Sequence, residues 1–185
     1  MRKNFGAKAM LYPMPVLIIG SYDENNIPDA MNAAWGGVAD FNKIFMCVSS
    51  HKSTDNILAR KAFTVSMGTA DQVVACDYVG LVSANDEPDK MKKSGFHTVK
   101  SEYVDAPIIE ELPMTLECKL ISYDPENDYM FGEVVNISAD EAILGEDGNI
   151  DIAKLRPIIF DGVHAAYHVI GEKVGNAFQD GAALK

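Results

Sequence analysis

Residues 44–61 read Ile44-Phe45-Met46-Cys47-Val48-Ser49-Ser50-His51-Lys52-Ser53-Thr54-Asp55-Asn56-Ile57-Leu58-Ala59-Arg60-Lys61. The apolar run at the start predicts a buried strand, and the polar residues Ser49 to Thr54 predict a turn. The following residues predict a short helix, with Ser53 or Thr54 as the N-cap and basic residues at its end. The predicted order is therefore strand, basic turn and helix.

The turn has the chemistry of an anion site. The first turn of a helix has unpaired backbone N–H groups and partial positive charge, which together favour anions. Four hydroxyls, one lysine and one histidine share the turn, so a phosphate monoester is the natural ligand. Two observations keep an ordinary capped helix open as the alternative: the turn lacks the glycines of a phosphate-binding loop, and Asp55 could satisfy the same amides. If an anion binds, Asp55 should point away from it.

The length and charge of the chain narrow the classes of function. At 185 residues, the chain predicts a single domain over residues 1–185. Its net charge of −11 argues against nucleic acid or an anionic membrane as the main partner. Three widely spaced cysteines fit reduced thiols, and no long apolar segment is present. We therefore expect a cytoplasmic protein without a signal peptide.

The remaining pattern predicts a mainly β fold with short helices. Apolar or alternating runs predict strands at residues 16–20, 29–35, 62–67, 114–121 and 129–137, the last two forming a hairpin with a possible bulge at Gly132. Gly36-Gly37 is expected either to bend the backbone or to let something flat lie close. Pro107 and Pro113 are expected to break regular structure. Many short strands with short helices between them indicate a small β-barrel decorated by helices.

Side chains suited to catalysis are scarce. His164 and His168 are four residues apart, but no third ligand is evident, so we predict no metal site. No general acid–base pair and no nucleophile motif stand out, so we predict no catalytic side chain. If the protein is an enzyme, a bound cofactor is expected to carry the chemistry.

An ordered set of motifs resembles the flavin reductase family, in particular its flavoredoxin type. The motifs are Pro13-Met14-Pro15-Val16, Asp29 to Trp35, Ser49 to Thr54, Asp89-Lys90, Phe131-Gly132-Glu133-Val134 and Tyr167 to Phe178. The resemblance covers nearly the whole chain and implies an FMN-binding split β-barrel of Greek-key type. It also implies a homodimer with the sites near the subunit interface.

The resemblance also assigns roles to particular residues. The FMN phosphate would bind the turn formed by Ser49, Ser50, His51, Lys52, Ser53 and Thr54. Asn32, Ala33 and Ala34 would lie along the isoalloxazine ring, with Trp35 packing nearby. Asp29 would accept a ring N–H and disfavour a reduced, anionic flavin. Lys90 would reach the cofactor, and Tyr167 would flank the ring.

The function implied is an FMN-dependent oxidoreductase. NADH or NADPH would be the electron donor, and a flavin, ferric iron or a protein would be the acceptor. The alternative is a non-enzymatic FMN electron carrier that a partner protein reduces. A flavin-free binding barrel is a third class, and a visible spectrum of the purified protein would distinguish it from the other two.

Overall fold

The structure is a computed structural model that describes residues 1–185 and is mainly β. The strands are β1 (Met14–Pro15), β2 (Leu17–Tyr22), β3 (Pro28–Ala33), β4 (Gly36–Asp40), β5 (Lys43–Cys47), β6 (Ala62–Met67), β7 (Thr98–Lys100), β8 (Pro107–Ile109), β9 (Met114–Asp124), β10 (Tyr129–Ala139), β11 (Ile158–Asp161) and β12 (Ala166–Val169). The helices are α1 (Lys52–Arg60), α2 (Val73–Leu81), α3 (Lys90–Ser94) and α4 (Ile152–Leu155), with 3₁₀ turns at Ala70–Gln72, Glu141–Ile143 and Asp180–Leu184. Every helix falls short of the length and hydrophobicity that a membrane-spanning helix requires.

Seven strands form one curled antiparallel sheet in the order β3-β2-β6-β9-β10-β5-β4. Strand β2 is buried on both faces, because its alternate side chains enter two different cores. Leu17 and Ile19 join a core inside the curled sheet, whereas Ile18 joins a second core beneath α2 and β11. The apolar run in β2 is therefore continuous, and the predicted mainly β barrel architecture is confirmed.

The long hairpin of β9 and β10 carries the predicted bulge. The pairing register shifts between Phe131 and Gly132, next to the buried ring of Phe63. A Cβ at position 132 would clash with Phe63 Cζ, so glycine lets the strand pass close to this ring.

Helix α1 begins earlier than the sequence indicated. His51 is the N-cap and Lys52 the first helical residue, so the prediction of Ser53 or Thr54 as N-cap is wrong. The Ser53 hydroxyl instead donates to Asp29 Oδ2 at 2.5 Å, and the Thr54 hydroxyl donates to the Ser49 carbonyl at 2.7 Å. Both hydroxyls therefore tie α1 to its surroundings, and neither caps the helix.

Several segments differ from their predicted structure. Gly36 and Gly37 begin strand β4, which pairs with β5, and they do not form a bend. A Cβ at Gly36 would lie 2.8 Å from the Phe45 carbonyl oxygen, so the glycine permits close pairing. Strand β3 ends at Ala33, two residues before Trp35. Strands β7 and β8 pair with each other in the region where prolines were expected to break structure.

Candidate functional site

A cavity of about 280 Å³ lies at the N-terminus of α1, where β3, α1, α2 and α3 meet. We call it the basic cavity. Its wall includes six residues that the sequence placed in a cofactor site: Asp29, Asn32, His51, Lys52, Ser53 and Lys90. The segment from Val79 to Ala84, at the end of α2 and beyond it, closes the other side. The fold thus brings together residues that are up to 61 positions apart in the chain.

The two lysines of the basic cavity differ in their surroundings. The Lys52 side chain is 26% exposed, and its nearest carboxylate is that of the exposed Glu24 at 4.0 Å. The Lys90 side chain is only 4% exposed, and its Nζ lies 3.3 Å from Asp29 Oδ1. Lys52 is therefore available to an anion at the open first turn of α1, whereas Lys90 is held in the wall by Asp29.

Asp29 has partners of its own. Its Oδ2 accepts the Ser53 hydroxyl, and its Oδ1 makes an ion contact with Lys90 although no hydrogen bond reaches that oxygen. Lys90 thus compensates the charge of Asp29. The unsatisfied Oδ1 is a buried acceptor in the cavity wall, where a ligand hydroxyl or N–H could bind.

A second cavity of about 240 Å³ continues from the first, with Asn32, Gly80 and Leu81 in both walls. We call it the aromatic cavity. The remaining residues of its wall are Ala34, Asp77, Phe160 and Tyr167. The rings of Phe160 and Tyr167 pack at a centroid distance of 5.9 Å and an interplanar angle of 50°, which gives the cavity an aromatic side.

Helix α2 fixes two of the predicted cofactor residues. The Asn32 side-chain amide donates to the Cys76 carbonyl at 2.9 Å, and the Tyr167 hydroxyl donates to Asp77 Oδ1 at 2.7 Å. A Cβ at Gly80 would lie 3.0 Å from Asn32 Cβ, so α2 can pack this tightly on β3 only with glycine at that position. The helix therefore sets the shape of the aromatic cavity.

The Tyr167 phenol stays protonated over a wide pH range. Burial is the main cause that raises the pKa of Tyr167 to about 12, and the hydrogen bond to Asp77 raises it further. The phenol is therefore a neutral donor to the Asp77 carboxylate at physiological pH.

Other predicted residues lie outside these two cavity walls. Ala33 and Thr54 are buried, Ser50 is exposed, and the Ser49 hydroxyl lies 3.0 Å from His51 Nε2. The Trp35 side chain is 65% exposed, so within one chain it covers neither cavity. Asp55 is exposed and belongs to neither wall, as expected if an anion binds the turn.

Sequence reasoning missed Asp77, Gly80 and Phe160. Residues 71–79, which include Asp77, have the pattern of a helix, and residues 158–160 have that of a strand, but neither pattern indicates a role at the site, and Gly80 directly follows the first. Contacts between distant residues place α2 at the site, namely Asp77 with Tyr167, 90 residues apart, and Cys76 with Asn32, 44 residues apart. The two histidines noted in the sequence instead approach Asp161, with His164 Nδ1 at 2.7 Å from its Oδ2.

A cleft with cations at one end and an aromatic wall at the other suits an elongated ligand with a phosphate and a ring. A curled antiparallel sheet with such a cleft defines the split-barrel class of proteins. The chain belongs to the family described as flavin reductase like domain, whose family model matches residues 9–161. The resemblance inferred from the sequence motifs is therefore confirmed.

Solved structures support the same fold. Flavoredoxin of Desulfovibrio vulgaris (Miyazaki F) superposes with a TM-score of 0.93 at 35% identity, covering 98% of this chain and 100% of that one. An FMN-binding domain of a flavin reductases-like enzyme from Shewanella baltica OS155 superposes with a TM-score of 0.77 at 24% identity, covering 88% of each chain. At that identity the second match shows the fold alone.

A curated relative extends the comparison to another organism. An uncharacterized protein of Aquifex aeolicus (strain VF5) is 33% identical over 105 residues, which cover 56% of this chain and 53% of the relative. The match thus spans about half the length of that relative.

Proposed function

We propose that this chain is an FMN-dependent oxidoreductase that passes electrons from NADH or NADPH to a flavin, ferric or protein acceptor. The observation that carries the proposal is the two-part cleft, with lysines and an open helix N-terminus at one end and an aromatic wall at the other. Membership of the flavin reductase like family and the similarity to a flavoredoxin support it. We further propose that residues 1–185 act as one FMN-binding domain.

The residues of the cleft fit FMN at both ends. Lys52 and His51, with Ser49, Ser50, Ser53 and Thr54 in the same turn, would hold the phosphate at the N-terminus of α1. Asn32, Ala33 and Ala34 would lie along the ring, with Tyr167 flanking it and Trp35 approaching from outside. Asp29 and Lys90 would contact the part of the cofactor between the two ends. Bound FMN would supply the redox chemistry, and the protein would orient donor and acceptor.

The visible spectrum of the purified protein is the first test. We expect flavin absorption either as isolated or after incubation with FMN and removal of the excess. A protein that stays colourless and leaves the fluorescence of added FMN unchanged would contradict the proposal.

The competing function is a non-enzymatic FMN carrier that a partner protein reduces, and the similarity to a flavoredoxin is the observation that favours it. Anaerobic stopped-flow mixing of the FMN-loaded protein with NADH or NADPH distinguishes the two. Rapid bleaching of the flavin absorption supports the oxidoreductase. Bleaching by dithionite but by neither nicotinamide supports the carrier.

We also propose that the protein is a homodimer in the cytoplasm. Val38 and Phe41, on and just after the edge strand β4, are 81% and 102% exposed, and Trp35 lies just before them. A cluster of this kind marks an interaction surface, and three free cysteines fit a reducing compartment. Sedimentation velocity should give twice the mass of one chain, and Phe41→Asp should give the monomer. A wild-type protein that sediments as a monomer at high concentration would refute the dimer.

A further inference from the structure

Asp77 is the one charged side chain in the wall of the aromatic cavity. Asp77 forms no ion pair. The only side chain that donates a hydrogen bond to it is Tyr167, whose hydroxyl is neutral. Asp29 differs from Asp77, because Lys90 compensates the charge of Asp29. Within the aromatic cavity, the uncompensated negative charge therefore belongs to Asp77. The other carboxylate of the cleft that forms no ion pair, Asp86, lines the basic cavity.

The polar groups around Asp77 are mainly hydrogen-bond acceptors. Tyr167 uses its only proton on Asp77 Oδ1, and Asn32 uses one amide N–H on the Cys76 carbonyl. Asp77 Oδ2, Asn32 Oδ1 and a Tyr167 lone pair then remain as acceptors for a ligand, and the one remaining donor, the second Asn32 N–H, lies near the Tyr167 hydroxyl. A ring edge with an N–H donor satisfies them, whereas an anionic edge is repelled.

We propose that Asp77 is a specificity-determining residue that selects a neutral flat ring with an N–H donor and disfavours the gain of negative charge on that ring. This inference rests on the proposed function, in which the ring belongs to FMN. Reduction of oxidised FMN by two electrons and one proton adds one negative charge. In the proposed reaction a nicotinamide supplies the electrons, and in the test below dithionite supplies them.

The charge of Asp77 should therefore make the protein bind oxidised FMN more tightly than reduced FMN. One uncompensated charge at a half-buried site changes the ratio of the affinities for oxidised and reduced FMN by about tenfold. For a two-electron couple, a tenfold change in the ratio is a shift of about 30 mV in the midpoint potential. Removing the charge should raise the potential of bound FMN by this amount.

The test compares the FMN-loaded wild type with Asp77→Asn, Asp71→Asn and Tyr167→Phe. Asp71→Asn is the matched control, because it loses the same charge beside the same helix at a side chain that is 75% exposed. Fluorescence quenching gives the affinity for oxidised FMN, and reductive titration with dithionite and a reference dye, above neutral pH, gives the midpoint potential. Circular dichroism checks folding, and Asp77→Ser replaces Asp77→Asn if the latter does not fold.

We expect the potential to rise by about 30 mV in Asp77→Asn and to stay near the wild-type value in Asp71→Asn. Tyr167→Phe keeps the carboxylate and should not raise the potential. An unchanged potential in Asp77→Asn, or an equal rise in Tyr167→Phe, would overturn the electrostatic role of Asp77. A wild type that takes up no FMN would refute the proposed function itself, which separates the two failures.

Discussion

Replacing Lys90 with methionine should destabilise the protein by about 3 kcal/mol, close to the lower limit measured for breaking buried ion pairs. The Lys90 Nζ lies 3.3 Å from Asp29 Oδ1, and the two side chains are 4% and 5% exposed. Methionine is similar in length to lysine but cannot compensate the carboxylate. Asp29 would then keep only the Ser53 hydroxyl as a partner.

The magnitude follows from two opposing effects. At 3.3 Å and an effective dielectric constant of about 20, the Coulomb attraction is about 5 kcal/mol. Removing the buried ammonium also removes its desolvation cost, and the Ser53 hydrogen bond remains, so the net loss should lie well below that figure. For a chain of this size, a loss of about 3 kcal/mol lowers Tm by about 6–12 °C.

The assay is urea denaturation and calorimetry of the protein without FMN, so that ligand binding does not contribute. Lys93→Met is the matched control on the same helix, because Lys93 is 54% exposed and pairs with Glu87 at the surface. Such pairs contribute about 0–1 kcal/mol. The double variant Asp29→Asn/Lys90→Met should regain much of the lost stability, because it leaves no buried charge unpaired. A Lys90→Met variant as stable as Lys93→Met would refute the stabilising role of the buried ion pair between Lys90 and Asp29.

Three further predictions concern other parts of the molecule. Lys52→Ala should weaken FMN binding by about 1.5–3 kcal/mol, measured by fluorescence quenching, because a charge-assisted contact to phosphate is lost; an unchanged affinity would place the phosphate elsewhere. Gly132→Ala should destabilise the protein by about 1–3 kcal/mol in urea, because its Cβ would meet the buried Phe63 ring; wild-type stability would show that the bulge can move aside. Folding raises the pKa of Tyr167 from its usual value near 10 to about 12, so its contribution to stability is present below pH 10 and is lost as the pH rises toward 12. Tyr167→Phe should therefore show a smaller loss of stability than the wild type over this range, and equal losses would contradict the raised pKa.

Local patterns in the sequence were enough to predict the strand, the turn and the helix that carry the phosphate end of the candidate site. The apolar run before Ser49 and the polar turn after it predicted a strand, a turn and a helix, and β5 and α1 follow in that order. The alternation in β9 and β10 predicted their hairpin and the bulge at Gly132. These features depend on residues close together in the chain, which is why one-dimensional patterns reveal them.

Other predictions failed where a distant partner decided the outcome. Ser53 follows the rule for helix N-caps, but a buried carboxylate 24 residues earlier takes its hydroxyl. Gly36 and Gly37 suggested a bend or a close approach, and of the two the bend is absent, because an available edge of β5 makes them a strand. In both cases a tertiary contact replaced the local preference.

By itself, the sequence determined the mainly β class, the basic turn at the start of α1 and, through its ordered motifs, the family. Only the tertiary structure showed that Lys90 compensates Asp29 and that Asp77 holds Tyr167. The physical reason is that the charge felt by a ligand depends on which groups are paired and buried. The pairing is decided by how α2 and α3 dock on the sheet, which pairs Asp29 with Lys90 and leaves Asp77 as an uncompensated carboxylate in the aromatic cavity.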